Sequence, residues 1–210
     1  MLRYLVLGAT YAFAAALQPG QLQAYLLSQT MTQGWRRTLP AALAPLLSDV
    51  PIVCVVLLVL TRVPSPFVHG LRVAGGCFLL FLAATAARAI RRPATVPARP
   101  ARVQRTVVRA ALVNLLNPNP YLGWALVLGP LLIQGVRERP VNGIALVVAF
   151  YATMILALAG LIALFGGART LGPRVARVLA GVSATALAAF GAYQLWSGAT
   201  ALIRSFTHPV

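Results

Sequence analysis

The stretch NLLNPNPYLGW, Asn114 to Trp124, puts turn chemistry inside an otherwise apolar run. Proline fixes φ and removes a backbone donor, and Asn bonds its own backbone in turns. Apolar residues flank the motif on both sides. Its reading decides the fold, because a turn in the middle of a hydrophobic span demands a reason.

The surrounding composition sets the class. Of 210 residues, 60% are hydrophobic and 10% charged, against about 25% charged in a typical soluble domain. The mean hydropathy is +0.82. A chain with so little polar surface cannot coat a globule. Long apolar runs separated by short basic loops read as transmembrane helices, each needing about 20 residues to cross the hydrocarbon.

The net charge of +16 comes from 18 basic residues, all arginine. Seven of them fall between Arg88 and Arg109, and most others lie at the ends of apolar runs. That pattern belongs to loops flanking membrane spans. It leaves no soluble module to bind nucleic acid. Cys54 and Cys77 lie in apolar runs without C-x-x-C or metal spacing, and read as small buried apolar residues. The N-terminal MLRYLVLGATYAFAAALQ has signal-peptide features. Apolar character resumes at Leu22 to Leu27, however, which favours a retained first span.

Six spans are predicted, at 4–28, 38–61, 67–89, 106–133, 141–166 and 175–203. The segment RRPATVPARPARVQR, Arg91 to Arg105, is a polar linker between spans three and four. It divides the chain into a three-helix repeat at 1–90 and a second at 106–210. QPGQ (Gln18 to Gln21) interrupts the first span and NPNP (Asn117 to Pro120) the fourth, each about a dozen residues inside. RVAGG at Arg72 and RVLAG at Arg177 open the third and sixth spans alike. Three helices per half is an odd number, so the second half must be inverted. Interrupted helices at matching positions of inverted halves point to a transporter binding site. The expected fold is therefore an all-α integral membrane protein of six transmembrane helices, two inverted three-helix repeats with broken first helices.

Arginine counting gives an orientation. Six arginines flank the side holding the termini (Arg3, Arg62, Arg72, Arg137, Arg139, Arg204) and twelve the other. Both termini are expected outside, with the 91–105 linker in the cytoplasm.

The breaks carry the candidate chemistry. A proline lacks an N–H and displaces the carbonyl four residues earlier. Pro19 should free the carbonyl of Ala15, and Pro118 and Pro120 those of Asn114 and Leu116. Freed groups at membrane depth are tolerated only against protein or a watery cavity. Gly20 lets the backbone open further. Gln18, Gln21, Asn117 and Asn119 add neutral donors and acceptors at the same depth. A broken helix presents a positive N-terminus, suited to a carboxylate, and exposed carbonyls, suited to an ammonium. A zwitterionic amino acid satisfies both. The competing reading is a pair of plain proline kinks.

Asp49 is the other anomaly. Of two acids, Glu138 sits between Arg137 and Arg139 in a loop and reads as a solvated charge. Asp49, in LAPLLSDVPIVCVV, lies well inside the second span. An ionised carboxylate there costs roughly 2.5–3.5 kcal/mol on insertion scales. Protonation relieves that cost, so Asp49 is a candidate reversible proton carrier. Its alternatives are a structural pairing with an interior arginine, or a cap on backbone freed beside Pro45 or Pro51. His69 and His208 sit near span ends. Tyr25, Tyr121 and Trp124 are candidates for a pathway or for interface anchors, and Tyr151 lies as deep in the fifth span as Asp49 in the second.

These motifs together resemble the LysE/RhtB superfamily of bacterial amino-acid exporters, over essentially the whole chain. The likeness rests on PGQ at Pro19 to Gln21, where the family usually shows P-G-P. It rests also on Asp49, on NLLNPNPYLGW and on AGGCFLLFLA at Ala74 to Ala83. Gln21 in place of the second proline, and Asn119 where many members have Lys, mark a divergent branch. The resemblance implies proton-coupled efflux of an amino acid or related small metabolite across the bacterial cytoplasmic membrane. It implies a substrate site built by Gln18, Pro19, Gly20, Gln21, Asn114, Asn117, Pro118, Asn119 and Pro120. Asp49 would carry the proton or pair with the substrate ammonium. No cofactor, metal or enzymatic role is implied; the partners are a small molecule and the lipid bilayer, and a homo-oligomer is left open. A membrane thiol-disulfide carrier would need a cysteine beside the prolines, where Gln18 and Asn117 stand. A hydrolase would need H-E-x-x-H, G-x-S-x-G or a second buried acid. A non-transporting scaffold is the remaining rival.

Overall fold

The computed structural model describes residues 1–18, 20–58, 65–91, 103–170 and 172–207. All regular structure among them is helical. The first predicted span is two helices, α1 (Leu2–Leu17) and α2 (Gln21–Gln33). Gly34, at φ 91, turns the chain into α3 (Trp35–Thr38), as L side chains rarely can. A 3₁₀ segment, Leu39–Leu43, leads into α4 (Ala44–Leu58), and α5 covers Ser65–Arg91. The fourth predicted span is α6 (Val103–Leu115), α7 (Pro118–Gly123), a π-helical turn Trp124–Leu128 and α8 (Gly129–Glu138). Two long helices follow, α9 (Pro140–Thr170) and α10 (Pro173–Thr207).

Both predicted interruptions are therefore real breaks between helices. Helix ends overrun the predicted spans, because apolar runs mark only the part suited to hydrocarbon while the backbone ladder continues beyond it. Arg91 ends α5 and Val103 begins α6, so the edges of the predicted 91–105 linker are helical. Residues 92–102, the predicted end of span two at 61, and His208 lie outside the described residues.

Polar and apolar faces are arranged for a membrane. Leu156 on α9 is 72% exposed and Trp196 on α10 is 73% exposed, whereas Ser48, Asp49, Asn114 and Gln194 are buried. Cys54 and Cys77, expected inside, are both exposed. In a bundle surrounded by lipid an apolar residue can face outward at no cost, so hydrophobicity does not predict burial there. Trp35–Val56, Pro140–Ala168 and Arg177–Ala201 are each long and apolar enough to cross a bilayer; α1 is apolar but stops at 16 residues because of its break.

Packing follows from small residues. α5 lies along α10, α1 along α9, α2 along α10, and α6 against α4. A Cβ on Gly76 of α5 would meet the Gly191 carbonyl at 2.8 Å, and one on Gly191 would meet the Gly76 carbonyl at 3.0 Å. Only glycine permits backbones that close, the usual means of helix association where lipid supplies no hydrophobic drive.

Candidate functional site

The first break starts with a missing donor. Helix α1 ends at Leu17, and Gln18 continues in extended backbone at φ -60, ψ 122. Its N–H still donates to the Ala14 carbonyl at 3.0 Å. The next carbonyl, Ala15, would need the nitrogen of Pro19, which carries no hydrogen. Gln23 supplies the donor instead: its Nε2 lies 3.4 Å from the Ala15 oxygen and 2.8 Å from that of Ala16. Pro19 itself lies outside the described residues. Gly20 is extended and caps the start of α2.

The second break is closed locally. Asn117 is the N-cap of α7; its Oδ1 accepts from the Asn119 N–H at 3.1 Å. Pro118 holds the first helical position, where a missing N–H costs nothing. The Asn114 carbonyl, expected to be freed, accepts from the Asn117 N–H at 3.2 Å, because the chain tightens by one residue before turning. The Tyr121 hydroxyl donates to the Leu115 carbonyl at 3.0 Å.

Asp49 joins the second break to two further helices. Asp49 as a whole residue is 3% exposed. Asn114 Nδ2 donates to Oδ1 at 3.0 Å and to Ser48 Oγ at 2.8 Å; the one Ser48 hydroxyl hydrogen has the Ala44 carbonyl at 3.1 Å as its nearest acceptor, with Asp49 Oδ1 3.5 Å away. On the other oxygen, Trp124 Nε1 donates at 3.5 Å and the Tyr151 hydroxyl at 3.4 Å. The π-helical turn begins at Trp124. Such turns are often found at functional sites. Neither structural alternative for Asp49 appears among the described residues: its partners are neutral side chains, not an arginine and not freed backbone.

The two breaks and Asp49 share one cavity of about 740 Å³, its open mouth included. Gln18 and Gly20 reach it from the first break, Asn117, Asn119 and Pro120 from the second, with Asn114 and Asp49 between them. Tyr11, Phe150 and Trp124 form an aromatic wall, with ring centroids 6.3 Å apart for Tyr11–Phe150 and 5.7 Å for Trp124–Phe150. Two of the predicted residues point elsewhere. Gln21 is buried outside the cavity, its Oε1 without a partner among the described residues, and Pro118 is buried and does not line the cavity. Tyr25 is also away from the cavity, donating to the Thr106 carbonyl at 3.3 Å.

Gln23 and Ser48 were missed by sequence reasoning. For Gln23 a signal existed: it lies two residues beyond Gln21, across a helix of 3.6 residues per turn, and so faces the opposite way. Asp49 is the one charged side chain among the described residues lining the cavity. The arrangement can hold a small polar solute between neutral amides, backbone carbonyls and one carboxyl group.

The family model for LysE type translocators matches residues 13–198 of the chain. No curated protein and no solved structure matches it. The matched segment includes both breaks, Asp49 and every residue of the cavity except Tyr11. The chain belongs to the LysE type translocator family.

Proposed function

We propose that this translocator exports an amino acid or a closely related small zwitterion across the bacterial cytoplasmic membrane, in exchange for protons. As a family member it is a multi-pass membrane transporter of small molecules. The observation that carries the finer reading is that both helix breaks and the buried Asp49 line one cavity. A zwitterion needs acceptors for its ammonium and donors for its carboxylate. Helix breaks in a low-dielectric interior offer both.

The same reading takes the chain as six spans in two inverted repeats, 1–90 and 106–210. Reciprocal packing supports it: α1 of the first half lies on α9 of the second, and α6 of the second on α4 of the first. Inversion would also make Tyr151 the counterpart of Asp49, and the two are bonded. The arginine balance supports a cytoplasmic 91–105 linker and external termini.

Asp49 is suited to carry the proton because its neighbours serve both protonation states. Ionised, it receives donors on both oxygens. Protonated, its new O–H can donate to the Tyr151 oxygen, since a hydroxyl is acceptor as well as donor. A proton taken up from outside and released inside would then alternate with substrate moving outward.

The test uses purified protein in inside-acid vesicles. At least one amino acid from a labelled panel should accumulate against its gradient, and a protonophore should abolish the accumulation. Transport of none by correctly inserted protein contradicts the proposal.

A further inference from the structure

The C-terminal end of α1 is satisfied by a side chain rather than by backbone. An α-helix leaves its last four carbonyls without intrahelical partners. Here Pro19 removes the donor that would have served Ala15, and the extended Gly20 turns away the one due to Ala16. The Gln23 amide covers both oxygens, at 3.4 Å and 2.8 Å. Ala15, Gln18, Gly20 and Gln23 line the cavity; Ala16 is fully buried behind the Gln23 amide, so its carbonyl is reached only when that amide moves. Gly20 leaves room for this amide: a Cβ there would lie 3.1 Å from Gln23 Oε1.

A neutral amide is a weak occupant for such a position. The C-terminal end of a helix carries partial negative charge and favours a cation. An ammonium has three donors and no acceptor, and its charge-assisted bonds are about twice as strong as neutral ones. Asp49 already receives Asn114 on one oxygen and faces Trp124 and Tyr151 on the other, and it gives up its charge whenever it carries the proton.

We propose that the Ala15 and Ala16 carbonyls are the docking point for the substrate's primary ammonium, and that the Gln23 amide is a placeholder which that ammonium displaces. The inference rests on the exporter reading above and deepens it. Asp49 handles the proton and the end of α1 handles the ammonium. In the empty carrier, Gln23 keeps two acceptors from standing bare at membrane depth, where unsatisfied backbone is costly. Recognition requires N–H donors, so a quaternary cation is excluded.

The test is binding by the full chain in lipid nanodiscs, read as ligand-dependent thermal stabilisation. The probe is n-butylammonium, with tetramethylammonium as a cation lacking N–H. Wild type should bind n-butylammonium at least about tenfold more tightly than tetramethylammonium, the loss of charge-assisted bonds being decisive. Gln23→Ala should bind n-butylammonium roughly three- to tenfold more tightly than wild type, because the competing hydrogen bond is gone. Gln23→Lys places a tethered ammonium on the same carbonyls and should lose binding. If Gln23→Lys fails to fold, judged by its melting without ligand, the Gln23→Ala comparison decides alone. Unchanged or weaker binding by Gln23→Ala overturns the placeholder. So does equal binding of the two cations, or no binding of n-butylammonium by folded wild type. The exporter reading is judged separately, by amino-acid accumulation in wild-type vesicles.

Discussion

The two helix breaks occupy one cavity but are finished differently. At the second, the bonds around the turn are local: the Asn117 side chain accepts from the Asn119 N–H, the Asn117 N–H returns to Asn114, and Tyr121 reaches Leu115. Among the described residues, Asn114 ties it to Ser48 and Asp49, and Trp124 ties it to Asp49. At the first, two carbonyls depend on one amide that must cross the gap from α2. The second break is thus closed mainly by its own neighbours and joined to the buried Asp49, whereas the first depends on one side chain from the next helix. Polar breaks at matching depth need not do matching work, because what satisfies the freed backbone decides what a ligand can displace.

The largest effect should come from Asp49→Asn, which keeps volume and several hydrogen bonds but removes the titratable group. Proton-driven accumulation should fall to the level of empty vesicles. Membrane insertion should hold or improve, since a charge at a helix centre costs roughly 2.5–3.5 kcal/mol. Normal accumulation with unchanged pH dependence would make Asp49 structural and unlink the second break from coupling.

A smaller but still severe loss is expected when Pro118 and Pro120 both become Ala. The restored N–H groups let α6 run on through Asn117 and close the cavity. Transport should fall roughly tenfold or more through misplaced contacts, while thermal stability is kept or raised. Asn117→Ala leaves both prolines in place and removes only the cap. It should lower stability by about 1 kcal/mol and transport by a few-fold. If both sites were mere kinks the order would reverse, with the proline pair losing stability and little activity.

Tyr151→Phe should have the mildest effect. It removes one donor from Asp49 and the one acceptor best placed for its proton. The transport rate should drop about two- to threefold, in keeping with about 0.5 kcal/mol for one long hydrogen bond of 3.4 Å. The pH of half-maximal transport should move as well. A residue serving only to pack would leave that pH in place.

How much of this was legible in the sequence depends on how local each signal is. Pro, Gly and Asn inside apolar runs announce both breaks, because they act on their own backbone. Asp49 stands out because a lone acid in such a run has no cheap explanation. The depth of Tyr151 hinted at its partner. Gln21 and Gln23 could not be told apart by composition, and helical phase puts the second of them in the cavity. The bond from Asn114 to Ser48 spans 66 positions and exists only through the packing of α6 on α4. The cysteines misled because lipid reverses the usual link between hydrophobicity and burial.

The central claim is that the two breaks face each other across one cavity. Its most direct test pairs Gln18→Cys with Asn117→Cys in a chain whose Cys54 and Cys77 are replaced by Ala. In membranes, a short flexible bis-maleimide should join the two new thiols within one chain and arrest transport. A transported amino acid should slow the joining. Efficient labelling of each thiol alone without any intramolecular link, or a linked protein that still transports, would contradict the account.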